Sequence, residues 1–306
     1  MGNEPALSVI VASYDAERTI RACLSSLQHQ ETNQDFEIIV VDSSTDGTAE
    51  LVEQQFPHVR LYHLPARKYC GDARNIGVSV ARGEIIALTD ADCTATGTWV
   101  DEVLKAHQSP HLAIGGAIAN AEPSSVVGWA AYFCEFSRWM PGSKPRWLDD
   151  IAGANISYKK KAFDVYGPFL EGTYCSDSEF HWRLGRDGHM LRWLPQIVVS
   201  HRSISNLSRF VQHEFEHGGC FARVRIRGRG FSRLRRLWYI LFGPLIPVKI
   251  LLQILINNLT NRVYLTRFIR ALPLVALGVL SWAAGEVAGY ASAEGRDTVD
   301  LSFRTG

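Results

Sequence analysis

The 306-residue sequence predicts an α/β fold: a mostly parallel mixed sheet with helices on both faces, followed by a C-terminal helical, membrane-associated region. Three observations carry this expectation. Apolar runs such as "LSVIVAS" (Leu7–Ser13) lack alternation, the mark of a strand covered on both faces. Helical patterns alternate with these runs through short connections, which implies parallel strands joined by crossover helices. The last third holds two apolar stretches of about bilayer-spanning length beside an arginine-dense run.

Leu7–Ser13 opens the sheet. Thr19 to His29 then carries Ile20, Cys23, Leu24 and Leu27 at helical spacing. Phe36–Asp42 ("FEIIVVD") is the second strand, and "SSTDGT" is turn chemistry leading into a helix near Thr48–Gln55. "VRLYHL" reads as a third strand, Gly71–Ala81 as a helix and Glu84–Thr89 as the fourth strand. Ligands of such sheets bind outside the carboxyl ends of the strands. Ser13-Tyr14, Asp42 and Asp90-Ala91-Asp92 all fall there.

The stretch "EIIALTDADCTA" places two acids, one residue apart, at the end of an apolar strand. In extended backbone, residues i and i+2 share a face. Two negative charges roughly 6–7 Å apart repel by about 2–3 kcal/mol at an effective dielectric near 20. A divalent cation relieves that repulsion, and hard cations favour oxygen ligands. Taken alone, the pair reads equally as two solvated loop acids capping the helix that begins near Thr98. No GxGxxG follows the first strand and no Walker loop is present, so a metal held by carboxylates is the remaining route to phosphates. Tyr14 could stack on a base and Asp42 could accept from a base N–H.

A formal charge of +1 provides no global field for nucleic acid, and 46% hydrophobic content allows a large core with an appendage. The six cysteines show no paired spacing, CxxC or Cys/His zinc pattern, as suits a reducing compartment. No signal peptide, repeat or low-complexity segment is expected, and Ala6 argues against N-myristoylation.

From Leu7 to about His201 the chain resembles the family-2 glycosyltransferases of the GT-A fold. The resemblance rests on "SVIVASYDAERTIRACLSSLQHQ", "EIIVVDSSTDGT", "GDARNIGVSVARGEIIALTDADC", "AGANISYKKKAFDVYGPFLEG" and "SDSEFHWRLGRDGH", in that order. It implies a nucleotide-sugar site built from Ser13, Tyr14, Asp42, Ser44, Arg74, Asp90, Ala91 and Asp92. Tyr14 would stack on the base and Asp42 bind it. Arg74 would approach base or phosphate, and Asp90 the ribose. Asp92, with His201, would hold the Mg²⁺ or Mn²⁺ that bridges the diphosphate. Asp177 matches the general base; by itself it also reads as a first-turn helix acid. Asn155, Trp139 and Trp147 are candidates for the acceptor groove, although aromatics in irregular segments are as often simple packing.

Two departures stand out. Where the family usually has Asp-Asp-Gly-Ser, this chain has Asp42-Ser43-Ser44-Thr45. The Gln-x-x-Arg-Trp signature of polysaccharide-extending relatives is reduced to Gln212, which points to transfer of a single sugar. The implied reaction is metal-dependent and inverting. It moves a sugar from a nucleotide sugar, expected to be UDP-linked, to a hydroxyl of a glycan or lipid-linked acceptor. Transfer to a polyprenyl phosphate is an alternative within enzymes; a non-catalytic membrane-bound scaffold is one from another class.

The expected organisation is a catalytic domain over residues 1–205, with its nucleotide-sugar half to about 115 and its acceptor half beyond. An Arg-rich helical connector (206–236), hydrophobic helices (237–292) and a polar tail (293–306) follow. The apolar stretches are interrupted by Lys249, Gln253, Pro244, Pro247 and Glu286, and their connecting loop carries Arg262, Arg267 and Arg270. A spanning hairpin would put that basic loop opposite the cytoplasm, against the positive-inside tendency. An in-plane first segment on the membrane surface, with the catalytic domain cytoplasmic, avoids the conflict.

Overall fold

The computed structural model describes residues 4–292, so the expected polar tail lies outside the described residues. The first half follows the alternation read from the sequence. It comprises β1 (Leu7–Ser13), α1 (Ile20–Gln28), β2 (Phe36–Asp42), α2 (Thr48–Gln55), β3 (Arg60–His63), α3 (Cys70–Val80) and β4 (Ile85–Asp90). Next come β5 (Cys93–Ala95), α4 (Trp99–Ala106), β6 (Ala113–Asn120), α5 (Val126–Phe136), β7 (Arg146–Leu148), β8 (Asn155–Lys159), α6 (Lys161–Tyr166), α7 (Ser176–Arg186) and β9 (Leu191–His201). Four helices complete the described chain: α8 (Leu207–Arg229), α9 (Arg233–Leu241), α10 (Ile246–Asn261) and α11 (Leu265–Ser292).

The strands form one mixed sheet in the order β3-β2-β1-β4-β8-β6-β9-β5, with β7 added beside β9. β3, β2, β1 and β4 are parallel. Beyond β4 the pairings are antiparallel apart from β6 with β9. Period-2 alternation splits β1 between two cores. Leu7, Val9 and Val11 join Ile20, Leu24 and Leu27 of α1 on one face. Ile10 joins Ala73 of α3 and Phe180 of α7 on the other. Each fully buried aliphatic side chain of this kind contributes roughly 1.5–3 kcal/mol, which is why the strands read as continuous apolar runs.

The C-terminal helices are bound to this body. α11 lies along α8 so closely that a Cβ on Gly285 would sit 1.9 Å from the Phe215 carbonyl oxygen. A Cβ on Gly218 would sit 2.1 Å from that of Trp282. Arg225 of α8 pairs with Glu286 of α11 at 3.0 Å and also donates to the Tyr290 hydroxyl. The acid that interrupts the second apolar stretch therefore has a cationic partner. Asn261, the last residue of α10 and four-residue steps on from Lys249, Gln253 and Asn257, donates to the Pro141 carbonyl. The segments Gly243–Asn261 and Leu265–Ser292 are long and apolar enough to cross a membrane by length and composition. Exposed apolar side chains run from α9 (Leu234, Leu237, Trp238, Leu241) onto these segments (Leu245, Leu252, Ile256, Ile269), with Lys249, Gln253, Arg267 and Arg270 also exposed among them.

Candidate active site

β2 and β4 flank β1 on opposite sides, so the chain reverses direction across the sheet at β1. Such a switch point opens a crevice at the carboxyl ends of the strands. Here it holds a cleft of about 690 Å³. Ser13, Tyr14, Arg74, Asp90, Ala91, Asp92, Trp139, Asp177 and His201 all line it. That volume is in the range of small-molecule sites.

Asp90 and Asp92 leave β4 into different surroundings. Asp90 accepts from the Arg74 guanidinium at 2.7 Å, and Arg74 is buried rather than on a helix surface. Burial pushes the Asp90 carboxyl up, with Asp92 adding to the rise and Arg74 opposing it. Asp92 meets His201 at 3.3 Å. The antiparallel pairing of β5 with β9 sets Cys93 opposite His201, which brings the neighbouring Asp92 to the imidazole. Burial disfavours the His201 cation. Asp92, with Glu135 and Asp90 behind it, outweighs burial and raises the imidazole to about 9. Asp92, Cys93 and His201 form a group able to hold a cation. The Cys93 thiol is pushed well up by burial and then by Asp92 and Asp90, so carboxylate and imidazole are the donors that suit a divalent ion.

Tyr14 lines the cleft with the Arg67 guanidinium 4.3 Å from its ring centre. Arg67 had no motif in the sequence to mark it. Asp42 and Ser44 are placed differently. Both are buried and neither lines the cleft. Asp42 accepts from the Ser44 amide at 3.2 Å and meets the His63 imidazole at 2.8 Å, while the Ser44 hydroxyl accepts from the Asp15 amide at 2.7 Å. They brace the turn after β1. Asp15, in that turn, has φ +47°, a left-handed conformation uncommon for a residue other than glycine.

Asp177 stands in the first turn of α7, whose preceding residue Cys175 is also left-handed at φ +59°. Its carboxylate lines the cleft and accepts from the Gly153 amide at 2.8 Å. Asp150 holds the same helix in place, accepting from the Ser178 hydroxyl at 2.8 Å and bonding His181 Nδ1 at 2.7 Å. His181 Nε2 in turn contacts the Tyr158 hydroxyl at 2.7 Å. Two left-handed residues and a buried hydrogen-bonded chain thus fix the cleft walls, as is common at functional sites.

Of the three acceptor-groove candidates, the cleft takes Trp139 only. Asn155 is a correction. It pairs with Thr89 across β8 and β4, and its buried side chain donates to the Ala117 and Ile197 carbonyls and accepts from Trp99 Nε1. Trp147 is another: it is half exposed, packs edge-on to His111 and lies under Arg192, away from the cleft. The sequence reading also missed a group on the cleft wall formed by Glu135, His213 and His217. Its signal was present as "HEFEH", two histidines four residues apart on one helix.

Residues 8–167, half of the chain, match the model of the family described as glycosyl transferase family 2. The chain belongs to glycosyltransferase family 2. It is 39% identical over 95 residues to the uncharacterized glycosyltransferase YibD of Escherichia coli, a match covering 30% of this chain and 27% of that one. It thus spans under a third of that relative's length. A longer match, 24% identical, covers 85% of this chain and 84% of a Methanococcus voltae protein. That protein is named dolichyl N-acetyl-alpha-D-glucosaminyl phosphate 3-beta-D-2,3-diacetamido-2,3-dideoxy-beta-D-glucuronosyltransferase. Among solved structures, the mannosyltransferase PcManGT of Pyrobaculum calidifontis, in complex with GDP-Man and Mn²⁺, is similar in fold. The TM-score is 0.58 at 19% identity, covering 75% of this chain and 66% of that one. The mixed sheet flanked by helices is thus GT-A-like, as expected from the sequence.

Proposed function

We propose that this family-2 glycosyltransferase inverts the anomeric centre of a nucleotide sugar, transferring one sugar to a hydroxyl of a glycan or lipid-linked acceptor at the cytoplasmic membrane surface. The observation that carries the reading is the shared cleft: Asp92 with His201 and Asp177 are carried by separate elements yet line one cavity. Asp92 and His201 would hold Mg²⁺ or Mn²⁺, which when bound offsets the charge that develops on the departing diphosphate. Asp90, fixed by Arg74, would take the ribose, and Tyr14 with Arg67 the base. Asp177 would receive the proton of the acceptor hydroxyl, which becomes acidic only as its bond to the sugar forms. The Gly153 amide on one carboxylate oxygen and the Ser178 amide on the other, at 2.8 and 2.9 Å, orient the carboxylate for that step. Asp42 and Ser44, being shut off from the cleft, would act on the donor through the shape of the turn they brace.

A uridine diphosphate sugar is the donor expected from the sequence. A thermal-shift panel of UDP, GDP and their sugars, with and without Mn²⁺, tests it: stabilisation by a nucleotide only in the presence of the ion is the expected result. The membrane placement is supported by the many large apolar side chains exposed along α9, α10 and α11, since extended exposed apolar patches mark membrane or partner contacts. Since α11 is bound along α8, whose His213 lines the cleft, an in-plane position would hold the cleft close to the lipid surface. A lipid-linked acceptor, of the kind in the Methanococcus relative's name, suits that placement.

A further inference from the structure

The geometry points to a second metal site in this protein, a Zn²⁺-class site formed by Glu135 of α5 with His213 and His217 of α8. It is separate from the ion expected at Asp92 and does not depend on the glycosyl-transfer reading. One ligand atom from each of the three residues lies within 4.8 Å of the others, and the Glu135 carboxylate already meets His213 Nε2 at 2.9 Å. Ligand atoms around a tetrahedral Zn²⁺ with bonds near 2.0–2.1 Å stand roughly 3.3 Å apart, so small side-chain shifts close the set.

Three features favour a cation over a plain ion pair. The spacing is the first: histidines at i and i+4 project from one helix face, the arrangement by which a helix offers two imidazoles to one metal. The second is His217. Its Nδ1 is shut off from solvent and has no hydrogen-bond partner, although its ring is fixed against Trp282 at 4.7 Å and Tyr174 at 5.8 Å between ring centres. An imidazole nitrogen held without a partner is costly unless something binds the ring. The third is the donor set, two imidazoles and a carboxylate, which suits a borderline d-block ion better than Mg²⁺ or Ca²⁺. All three residues line the cleft, so the fourth coordination position opens into it. The site differs from a metallohydrolase in one respect. Glu214, the acid between the histidines, is buried and is not part of the cleft wall.

The test is Co²⁺ binding to tag-free, full-length protein, read by the visible d–d absorption of a four- or five-coordinate ion. It is carried out in an Asp92→Asn background, which disables the other candidate set. One equivalent with a d–d band is expected in Asp92→Asn. That band should be lost in Asp92→Asn/His217→Ala and in Asp92→Asn/Glu135→Gln, the second change preserving side-chain shape. Excess Zn²⁺ should displace the band. Absence of a band from Asp92→Asn protein, or its survival in both double variants, overturns the proposal. Mn²⁺-dependent nucleotide binding is measured separately with Asp92 intact, so failure of the donor reading leaves this result unaffected, and the converse holds.

Discussion

Arg74 and Asp90 form a 2.7 Å ion pair whose guanidinium is almost wholly buried and whose carboxylate faces the cleft. Gly153 lies against it: a Cβ there would stand 2.3 Å from Arg74 Nη1, while its amide donates to Asp177 at 2.8 Å. One glycine therefore lies against the partner of Asp90 and holds Asp177 as well. Gly153→Ala should displace both, costing about 1–3 kcal/mol of stability through overpacking and lowering transfer at least about tenfold. Urea unfolding and initial rates measure the two effects. A variant with normal stability and rate would remove that role.

Asp92→Asn should abolish the manganese dependence of nucleotide binding while leaving the fold intact, because Asp92 is partly exposed and the His201 imidazole it leaves behind can rest neutral. Calorimetric titration of nucleoside diphosphate with and without Mn²⁺ reads this directly.

Asn155 and Trp147 should behave as structural residues. Asn155→Ala strips partners from Trp99 Nε1 and from the Ala117 and Ile197 carbonyls, with an expected loss of about 2–4 kcal/mol. Trp147→Ala should leave transfer within about twofold, since it removes no cleft contact. Trp139→Ala should lower acceptor use by more. Thermal melts and acceptor kinetics on the three variants separate these outcomes.

The first half of the sheet was legible because its signals are local. Continuous apolar runs mark β1, β2 and β4, and each ends in a polar residue: Ser13, Asp42 and Asp90. The Asp92–His201 contact was legible only through family resemblance, since the residues are over a hundred positions apart. Asn155 misled for a physical reason: a polar residue next to glycine and alanine reads as a groove residue, and burial between β4 and β6 could not be seen. The Glu135–His213–His217 group was half legible, as an i, i+4 histidine pair. Its third member comes from α5, and no local pattern signals that α5 and α8 converge on the cleft.

His107 gives a pH prediction outside the cleft. Burial, with Lys159 adding, lowers its imidazole from the ordinary value near 6.5 to about 4, while Nε2 contacts the Ser157 hydroxyl at 2.8 Å. Between pH 6.5 and 4 the unfolded chain binds the proton and the folded one does not, so stability falls as pH is lowered through that window. The loss from this group is up to about 3 kcal/mol. His107→Gln, which cannot protonate, should show a correspondingly smaller fall in urea midpoint between pH 7 and pH 4.5. Equal falls would contradict the assignment.

The exposed apolar surface is tested by charge. Leu241→Glu with Leu245→Glu, both exposed, should leave the melting temperature within a few degrees yet release the protein from anionic lipid vesicles in a flotation assay. Retention of the variant on vesicles would argue against this face as the lipid contact.

The central claim is that one cleft binds the donor through Asp92 and deprotonates the acceptor through Asp177. The most direct measurement is a paired one on Asp177→Asn: manganese-dependent nucleotide-sugar binding by calorimetry and sugar transfer by product formation. Binding within about twofold of wild type, with turnover reduced by roughly 10²–10⁴, is the predicted result. Normal turnover, or loss of donor binding together with turnover, would contradict it.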